Sequence, residues 1–181
     1  GWGDGLEPKL IKGPDVFLAV AERLREQVPE TMVLLTGPSR GYVKTGLERL
    51  EVPYRHALLP DVDAVAQAYE AIDVCLVTSR DEGGPRAVLE AMATGVPLVT
   101  TKVGQATDLV RHGENGWLVE VEDVDGLVGW TVHVADASAE ELDDVREAGR
   151  ATAEATAYEA LRPRWRELLR GFVAMPESSG D

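Results

Sequence analysis

The residues whose types and spacing point most directly to chemistry lie between Ser79 and Glu90, in Ser79-Arg80-Asp81-Glu82-Gly83-Gly84-Pro85-Arg86-Ala87-Val88-Leu89-Glu90. Before them, Val74-Cys75-Leu76-Val77-Thr78 is continuously apolar and reads as a buried strand; after them, apolar residues recur at helical spacing from Pro85 to Thr94. Proline at the first helical position loses no hydrogen bond. The amides of Arg86 and Ala87 are then left pointing out of the helix without acceptors. Such an end carries a partial positive charge and suits a phosphate or diphosphate. Gly83 and Gly84 have no side chain to keep a ligand off the backbone. Glu82 stands just ahead of this helix start, and Glu90 lies about two turns along the helix. One carboxylate therefore reaches what lies before the helix, the other what lies along its flank. Each can accept from two hydroxyls, so the vicinal diols of a sugar or a ribose are natural partners. For either glutamate alone an ordinary role is the alternative: Glu82 complementing the helix dipole, Glu90 solvated on the helix surface.

The other reactive side chains make weaker cases. Lys12 precedes the helix start Gly13-Pro14-Asp15 and is either an anion ligand or a solvated lysine. Arg40 and Lys44, after the turn at Gly37, fit a pocket rim or an ordinary surface equally. The run Gly37-Pro38-Ser39-Arg40-Gly41 lacks the Gly-Lys-Ser/Thr ending of a phosphate loop. Asp61-Val62-Asp63 and Asp123-Val124-Asp125 both fall at helix starts, where aspartate caps free amides rather than binding a metal; no metal site is expected. His56, His112 and His133 have no matching nucleophile or ligand spacing. Cys75 is expected in the core, Trp130 and Trp165 as packing residues, and Glu140-Glu141 and Asp143-Asp144 as a solvated helical face.

These candidates must be positioned by an alternation of elements. Helical spacing covers Val16 to Leu24, Val43 to Leu50 and Val62 to Ala71; strands are expected at Met32 to Thr36 (fully buried), Tyr54 to Leu59, Pro97 to Thr101 and Trp117 to Val119. From Asp123 the pattern is helical only, ending near Ala174, and Pro176 to Asp181 reads as a frayed polar tail. Continuous apolar strands alternating with helices predict an α/β domain with a doubly wound, mostly parallel sheet covered on both faces, a Rossmann-like arrangement. Ligands of such sheets bind beyond the carboxyl ends of the strands, which singles out the loops after Thr36, Leu59, Thr78 and Thr101. The 181 residues amount to roughly 1.2 domains at about 150 per domain. A net charge of −14 argues against nucleic acid and anionic membranes as partners. A single cysteine and no apolar run of about 18 residues fit a soluble, cytoplasmic protein.

The stretch Glu82 to Pro97 resembles the signature of retaining glycosyltransferases of family 4, which have the glycosyltransferase B fold. In that signature two glutamates are separated by seven residues, as Glu82 and Glu90 are, and an Ala-Met-Ala-x-Gly-x-Pro run follows. It is matched here by Ala91-Met92-Ala93-Thr94-Gly95-Val96-Pro97. Lys12-Gly13, Tyr69-Glu70-Ala71-Ile72-Asp73-Val74 and Gly113-Glu114-Asn115-Gly116-Trp117-Leu118 resemble further segments of the family, so the likeness runs from about residue 8 to 125. It implies the nucleotide-sugar-binding half of a two-domain enzyme, a hexosyltransferase that moves sugar from a nucleotide-diphospho-sugar to an acceptor hydroxyl with retention. By the same resemblance Glu82 orients the donor sugar, Glu90 holds the ribose, the Arg86 and Ala87 amides with Gly83 and Gly84 cradle the diphosphate, and Lys12 neutralises it as it leaves. Gly37 and Leu59 border the base, and no metal or other cofactor is needed.

Two departures stand out. Trp2 to Ile11 holds no arginine to pair with the diphosphate, leaving Lys9 as a poorer substitute. Gly1 to Gly5 does not read as the family's first strand. The expected organisation is a donor-binding domain over 1–157, with a C-terminal helix and tail over 158–181. An N-terminal acceptor-binding half is expected to be absent from this sequence, and any membrane contact would belong to that half. The alternatives are a non-catalytic nucleotide-binding or assembly module, or half of a nucleotide-sugar epimerase.

Overall fold

The computed structural model describes residues 7–173; the expectations for Gly1 to Gly5 and for the tail from Pro176 lie outside them. Gly13 adopts a left-handed conformation (φ 60°) that ends a 3-10 turn, Leu10–Lys12, and starts helix α1, Pro14–Gln27, with proline in the first turn. Five strands follow: β1 (Val33–Thr36), β2 (Tyr54–Ala57), β3 (Cys75–Val77), β4 (Leu98–Thr101) and β5 (Trp117–Val119). Between and after them lie α2 (Gly41–Arg49), α3 (Val62–Glu70), α4 (Arg86–Thr94), α5 (Ala106–Leu109), α6 (Val124–Asp136), α7 (Ala139–Ala155) and α8 (Tyr158–Val173).

Among the described residues every strand pairing is parallel, but the strands form two sheets, β1-β2 and β3-β4-β5, rather than the single one expected. Leu35 faces His56 across the first sheet, and Val99 faces Trp117 in the second. The division explains a difference in burial. β4, with a strand on each side, is buried at all four residues. On β1, expected to be fully buried, only Leu35 is buried, and Met32 falls outside the strand with 62% of its surface exposed. Only β2 pairs with β1 among the described residues, so its other edge lacks the cover that a neighbouring strand provides. β2 ends at Ala57, two residues earlier than expected, because Leu58 and Leu59 have left the ladder.

Helix α1 ties the two sheets together. Val16, Val20 and Leu24, spaced by four, pack with Val99, Trp117 and Val119 and with Leu127 and Val128 of α6. Leu18 and Ala21, on another stripe of the same helix, pack with Leu35 of β1 and with Val43 and Leu47 of α2. The opposite face of the second sheet, Cys75, Val77 and Leu98, is covered by Val88, Ala91 and Met92 of α4 and by Ala106 and Leu109 of α5. Helices thus lie on both faces of that sheet. Removing about 25 cal/mol of apolar hydration per Å² is what holds these layers together.

The C-terminal helices depart from expectation in two details. Glu141 is exposed, as a solvated face requires, yet it also accepts from the Ser138 amide (2.8 Å) and hydroxyl (2.9 Å), completing a capping box at the start of α7. Those donors hold its carboxyl below the usual range. Trp165 is not a packing residue: it is 54% exposed, on an α8 face that also turns Leu168, Leu169 and Phe172 to solvent. Among the described residues no helix is long and apolar enough to cross a membrane.

Candidate functional site

The loop leaving β3 is anchored before it reaches Glu82. Thr78 and Ser79 are buried. The Thr78 hydroxyl donates to the Gly13 carbonyl (2.9 Å), and the Thr101 hydroxyl at the end of β4 donates to the Ser79 carbonyl (2.6 Å). Ser79 Oγ in turn donates to Glu82 Oε1 (2.7 Å). Lys12 Nζ reaches the same oxygen at 2.6 Å, so the two charged residues assigned to one site do meet, across 70 residues of sequence. Glu82 Oε1 is thereby filled twice, while no donor among the described residues meets Oε2. One carboxylate oxygen sets the rotamer and the other is left to accept from a hydroxyl.

Two glycines make this approach possible. A Cβ on Gly13 would sit 1.8 Å from the Thr78 carbonyl oxygen, and a Cβ on Gly104 (φ 43°) would sit 1.8 Å from the Glu82 carbonyl oxygen. Any side chain at either position would push the Lys12 turn or the Glu82 loop out of place. Gly83 is the reverse case, since an added Cβ there meets nothing within 4 Å. Its carbonyl accepts from the Gln105 amide (3.0 Å), so the backbone is tethered on one side and open on the other.

Helix α4 begins at Arg86, with Pro85 at the N-cap rather than at the first helical position as expected. The proline's extended ψ of 104° places it just outside the helix, and its carbonyl accepts from the Val88 amide (3.0 Å). The consequence for the site is unchanged. No side chain caps the helix, and no acceptor among the described residues meets the Arg86 and Ala87 amides. The Arg86 side chain is 91% exposed, with its Nε 3.8 Å from Glu90 Oε1. Glu90 Oε2 accepts from the Tyr69 hydroxyl of α3 (3.0 Å). Burial raises the Tyr69 phenol well above its ordinary pKa, with Cys75 and Glu90 adding to the effect, so it stays a donor. Burial likewise pushes the Cys75 thiol up to about 12, with the Glu90 charge adding to it, in keeping with a core role.

The residues expected to border a base lie on the other sheet. Gly37 is left-handed (φ 80°); its amide donates to the Ala57 carbonyl (3.1 Å), and its own carbonyl lies 2.7 Å from His56 Nε2. Arg40 Nε donates to the Thr36 carbonyl (2.8 Å), and burial lowers the guanidinium pKa. Leu59 is half-buried. No hydrogen bond or ion pair among the described residues joins Gly37 or Leu59 to Lys12, Glu82 or Glu90. Lys9 is exposed, and Lys44 is half-buried on α2.

The remaining candidates have structural work to do. Asp61 caps α3 through the Ala64 amide and Asp123 caps α6 through the Gly126 amide, each at 2.8 Å. Asp125 pairs with Arg23. His112 and His133 pack edge-on against Trp130, 4.8 and 5.4 Å between ring centres. Four residues of this region are given no role by the sequence alone: Ser79 and Arg80, although both lie in the informative stretch, Tyr69, although it lies in a segment that resembles the family, and Gly104. What they do becomes visible only through contacts between distant segments.

Residues 5–136 match the family described as glycosyl transferases group 1. Over 188 aligned positions the chain is 31% identical to D-inositol 3-phosphate glycosyltransferase of Corynebacterium urealyticum, covering 92% of this chain and 42% of that one. Among solved structures, sucrose-phosphate synthase of Thermosynechococcus elongatus superposes with a TM-score of 0.79 at 25% identity, over 91% of this chain and 43% of the other. Anabaena HepE in complex with UDP-glucose superposes with a TM-score of 0.78 at 22% identity, over 91% and 46%. The chain spans about a quarter to a half of the length of the curated relatives it matches. Its parallel sheets flanked by helices are those of glycosyltransferase B structures. By its sequence and its fold, the chain belongs to the glycosyl transferases group 1 family.

Proposed function

We propose that this chain is the donor-binding half of a retaining family 4 glycosyltransferase, cytoplasmic and completed by an N-terminal acceptor-binding half. The observation that carries the reading is the meeting of Lys12 with Glu82, four residues ahead of the uncapped start of α4. A cation meets a carboxylate with one oxygen free, ahead in sequence of two amides without acceptors, in a loop where Gly83 leaves the backbone bare. A nucleotide-diphospho-sugar has matching groups in order: diphosphate for the amides and Lys12, sugar hydroxyls for Glu82, ribose hydroxyls for Glu90. Gly37 and Leu59 border the base. In support, a structure with the same fold, Anabaena HepE, was solved with UDP-glucose bound.

In the reaction the bond between the anomeric carbon and the diphosphate oxygen breaks, and its electron pair leaves with the nucleoside diphosphate. The acceptor oxygen takes its place on the carbon, and its proton passes to the departing diphosphate. Charge grows on the leaving diphosphate, and fixed donors aimed at growing charge lower the barrier most. Lys12 and the α4 amides are such donors. Glu82 orients the sugar and is not assigned as a nucleophile. A divalent ion is not required in this scheme, because the amides and Lys12 carry the diphosphate charge.

Calorimetry of the chain against UDP-, GDP- and ADP-glucose and the bare diphosphates tests this. One sugar nucleotide is expected to bind these 181 residues, weakly, and more tightly than its own diphosphate, with no transfer to acceptors, because the proposed acceptor-binding half is what positions them. Equal binding of sugar nucleotide and bare diphosphate would point instead to a nucleotide-binding scaffold.

A further inference from the structure

We infer that Arg80 is a positioning residue for the donor site: it clamps the turn carrying Lys12 to the loop carrying Glu82. An arginine two residues before Glu82 has the look of a phosphate ligand, but its donors are spent on the protein. Nη1 and Nη2 fork onto Asp15 Oδ1 and Oδ2, both at 2.7 Å. Nη1 also reaches the Leu10 carbonyl (2.7 Å), and Nε reaches Glu122 Oε1 (2.6 Å). Four of the five guanidinium hydrogens are thus engaged. The backbone joins in, since the Arg80 amide donates to the Ile11 carbonyl (2.8 Å). Leu10 and Ile11 belong to the 3-10 turn that ends in Lys12, Asp15 to the first turn of α1, and Glu122 to the segment between β5 and α6.

Three segments far apart in sequence are held by one planar group, and two of them carry the site's opposite charges. The Asp15 carboxylate, lowered in pKa chiefly by its hydrogen bonds from Arg80, stays ionised and keeps the fork charge-assisted. Glu122 takes a left-handed backbone (φ 66°), an unfavourable conformation for glutamate that persists where surrounding contacts determine it. The Leu10 carbonyl that Arg80 engages also accepts from the Gly13 amide (2.9 Å), so the guanidinium bears directly on the turn presenting Lys12. Arg80 acts through Lys12 and Glu82 and does not touch the donor itself. A lysine cannot reproduce a planar fork, so R80K should behave as R80Q does.

Part of the test rests on the donor-site reading and part does not. Without ligand, NMR relaxation of the full chain reads the amides of Leu10, Ile11, Lys12 and Gly13. In R80Q and in D15N their order parameters should fall from about 0.85 to below about 0.6, with those of α7 unchanged. With ligand, calorimetry uses the best-bound of UDP-, GDP- and ADP-glucose. R80Q should weaken binding about tenfold in the native background but less than about twofold when K12A is already present, because the clamp works through Lys12. Order parameters that do not change overturn the proposal. So does a penalty that is the same with and without Lys12, which is the mark of a merely structural arginine. If the native chain binds no sugar nucleotide, the donor-site reading fails, and the order parameters alone decide for or against the clamp. D15N cuts the same fork from its other end, so the measurement stands if R80Q does not fold.

Discussion

Replacing Glu82 by glutamine should separate the sugar from the nucleotide in the binding energy. Glutamine keeps a carbonyl oxygen to accept from Lys12 and Ser79, which meet Oε1 at 2.6 and 2.7 Å, so the loop geometry is retained and only the charge is lost. Two effects of opposite sign follow. Glu82 holds Lys12 in an ion pair, and in the proposed site it is an anion beside the place of an anion. A unit charge at about 6 Å repels another by about 0.7 kcal/mol in water and about 3 kcal/mol at an effective dielectric of 20. With the Lys12 side chain 40% exposed, a value near the lower end, ~1 kcal/mol, applies. Bare nucleoside diphosphate should therefore bind roughly fivefold more tightly to Glu82→Gln. The sugar nucleotide gains the same amount but loses hydrogen bonds to a charged acceptor, about 1.5–3 kcal/mol. The preference for sugar nucleotide over diphosphate should fall by roughly 10- to 150-fold. Paired calorimetric titrations with UDP-glucose and UDP, or the better-bound guanosine or adenosine pair, give both numbers. A variant that binds the two ligands with unchanged preference, or binds the diphosphate more weakly, would refute the assignment of Glu82 to the sugar.

Three further outcomes are expected. Gly83→Leu should leave the melting curve within about 0.5 kcal/mol of native, because nothing lies within 4 Å of its Cβ position; it should weaken donor binding more than about tenfold by filling the bare approach. Glu90→Ala should weaken sugar nucleotide and bare diphosphate alike in titrations. It should also lower stability by about 1 kcal/mol in urea unfolding, since the half-buried Tyr69 hydroxyl loses its acceptor. For pH, Asp15 has a folded-state pKa below its ordinary value of about 3.9, owing first to the Arg80 hydrogen bonds. Its contribution is fully present above that value and is lost as pH falls through the folded pKa. The stability gap between the native chain and Asp15→Asn should thus be constant near neutrality and close in acid, as urea midpoints against pH will show.

What could be read along the chain was what repeats locally. The β3–α4–β4 unit announces itself because a short apolar strand, a glycine pair with proline, and helical spacing fall in immediate succession, and Glu82 and Glu90 take their places from it. Aspartate caps at Asp61 and Asp123 are legible for the same reason, as each bonds an amide three residues on. The division into two sheets was not, since an apolar run looks the same whether one or two strands border it. Nor was the exposure of Trp165, because helical spacing of apolar residues shows a stripe without showing what covers it. The partners of the site were hidden more deeply. Arg80 reaches Asp15 across 65 residues and Tyr69 reaches Glu90 across 21. Gly104 matters only because another loop passes 1.8 Å from where its Cβ would be. Such pairings come from the way loops stack at the strand ends, which no local pattern encodes.

Helix α1 shows why stability and site geometry are coupled in this chain. Its two stripes, Val16-Val20-Leu24 and Leu18-Ala21, are buried against different sheets, so its axis is fixed by both cores at once. Its first turn is fixed independently: Gly13 presses on the Thr78 carbonyl and Asp15 takes the Arg80 fork. Lys12 sits one residue before that turn. Close-packed interiors transmit strain rather than absorb it, so a rotation of α1 imposed by either core reaches Lys12 within about a turn of helix. The lysine's flexible stem absorbs small displacements; the Arg80 fork, planar and bidentate, does not. The cation of the site is thus adjustable while the frame beneath it is rigid. That division suits the role proposed for Lys12, which is to pair with Glu82 before a donor arrives and to follow the diphosphate as its bond to the sugar lengthens.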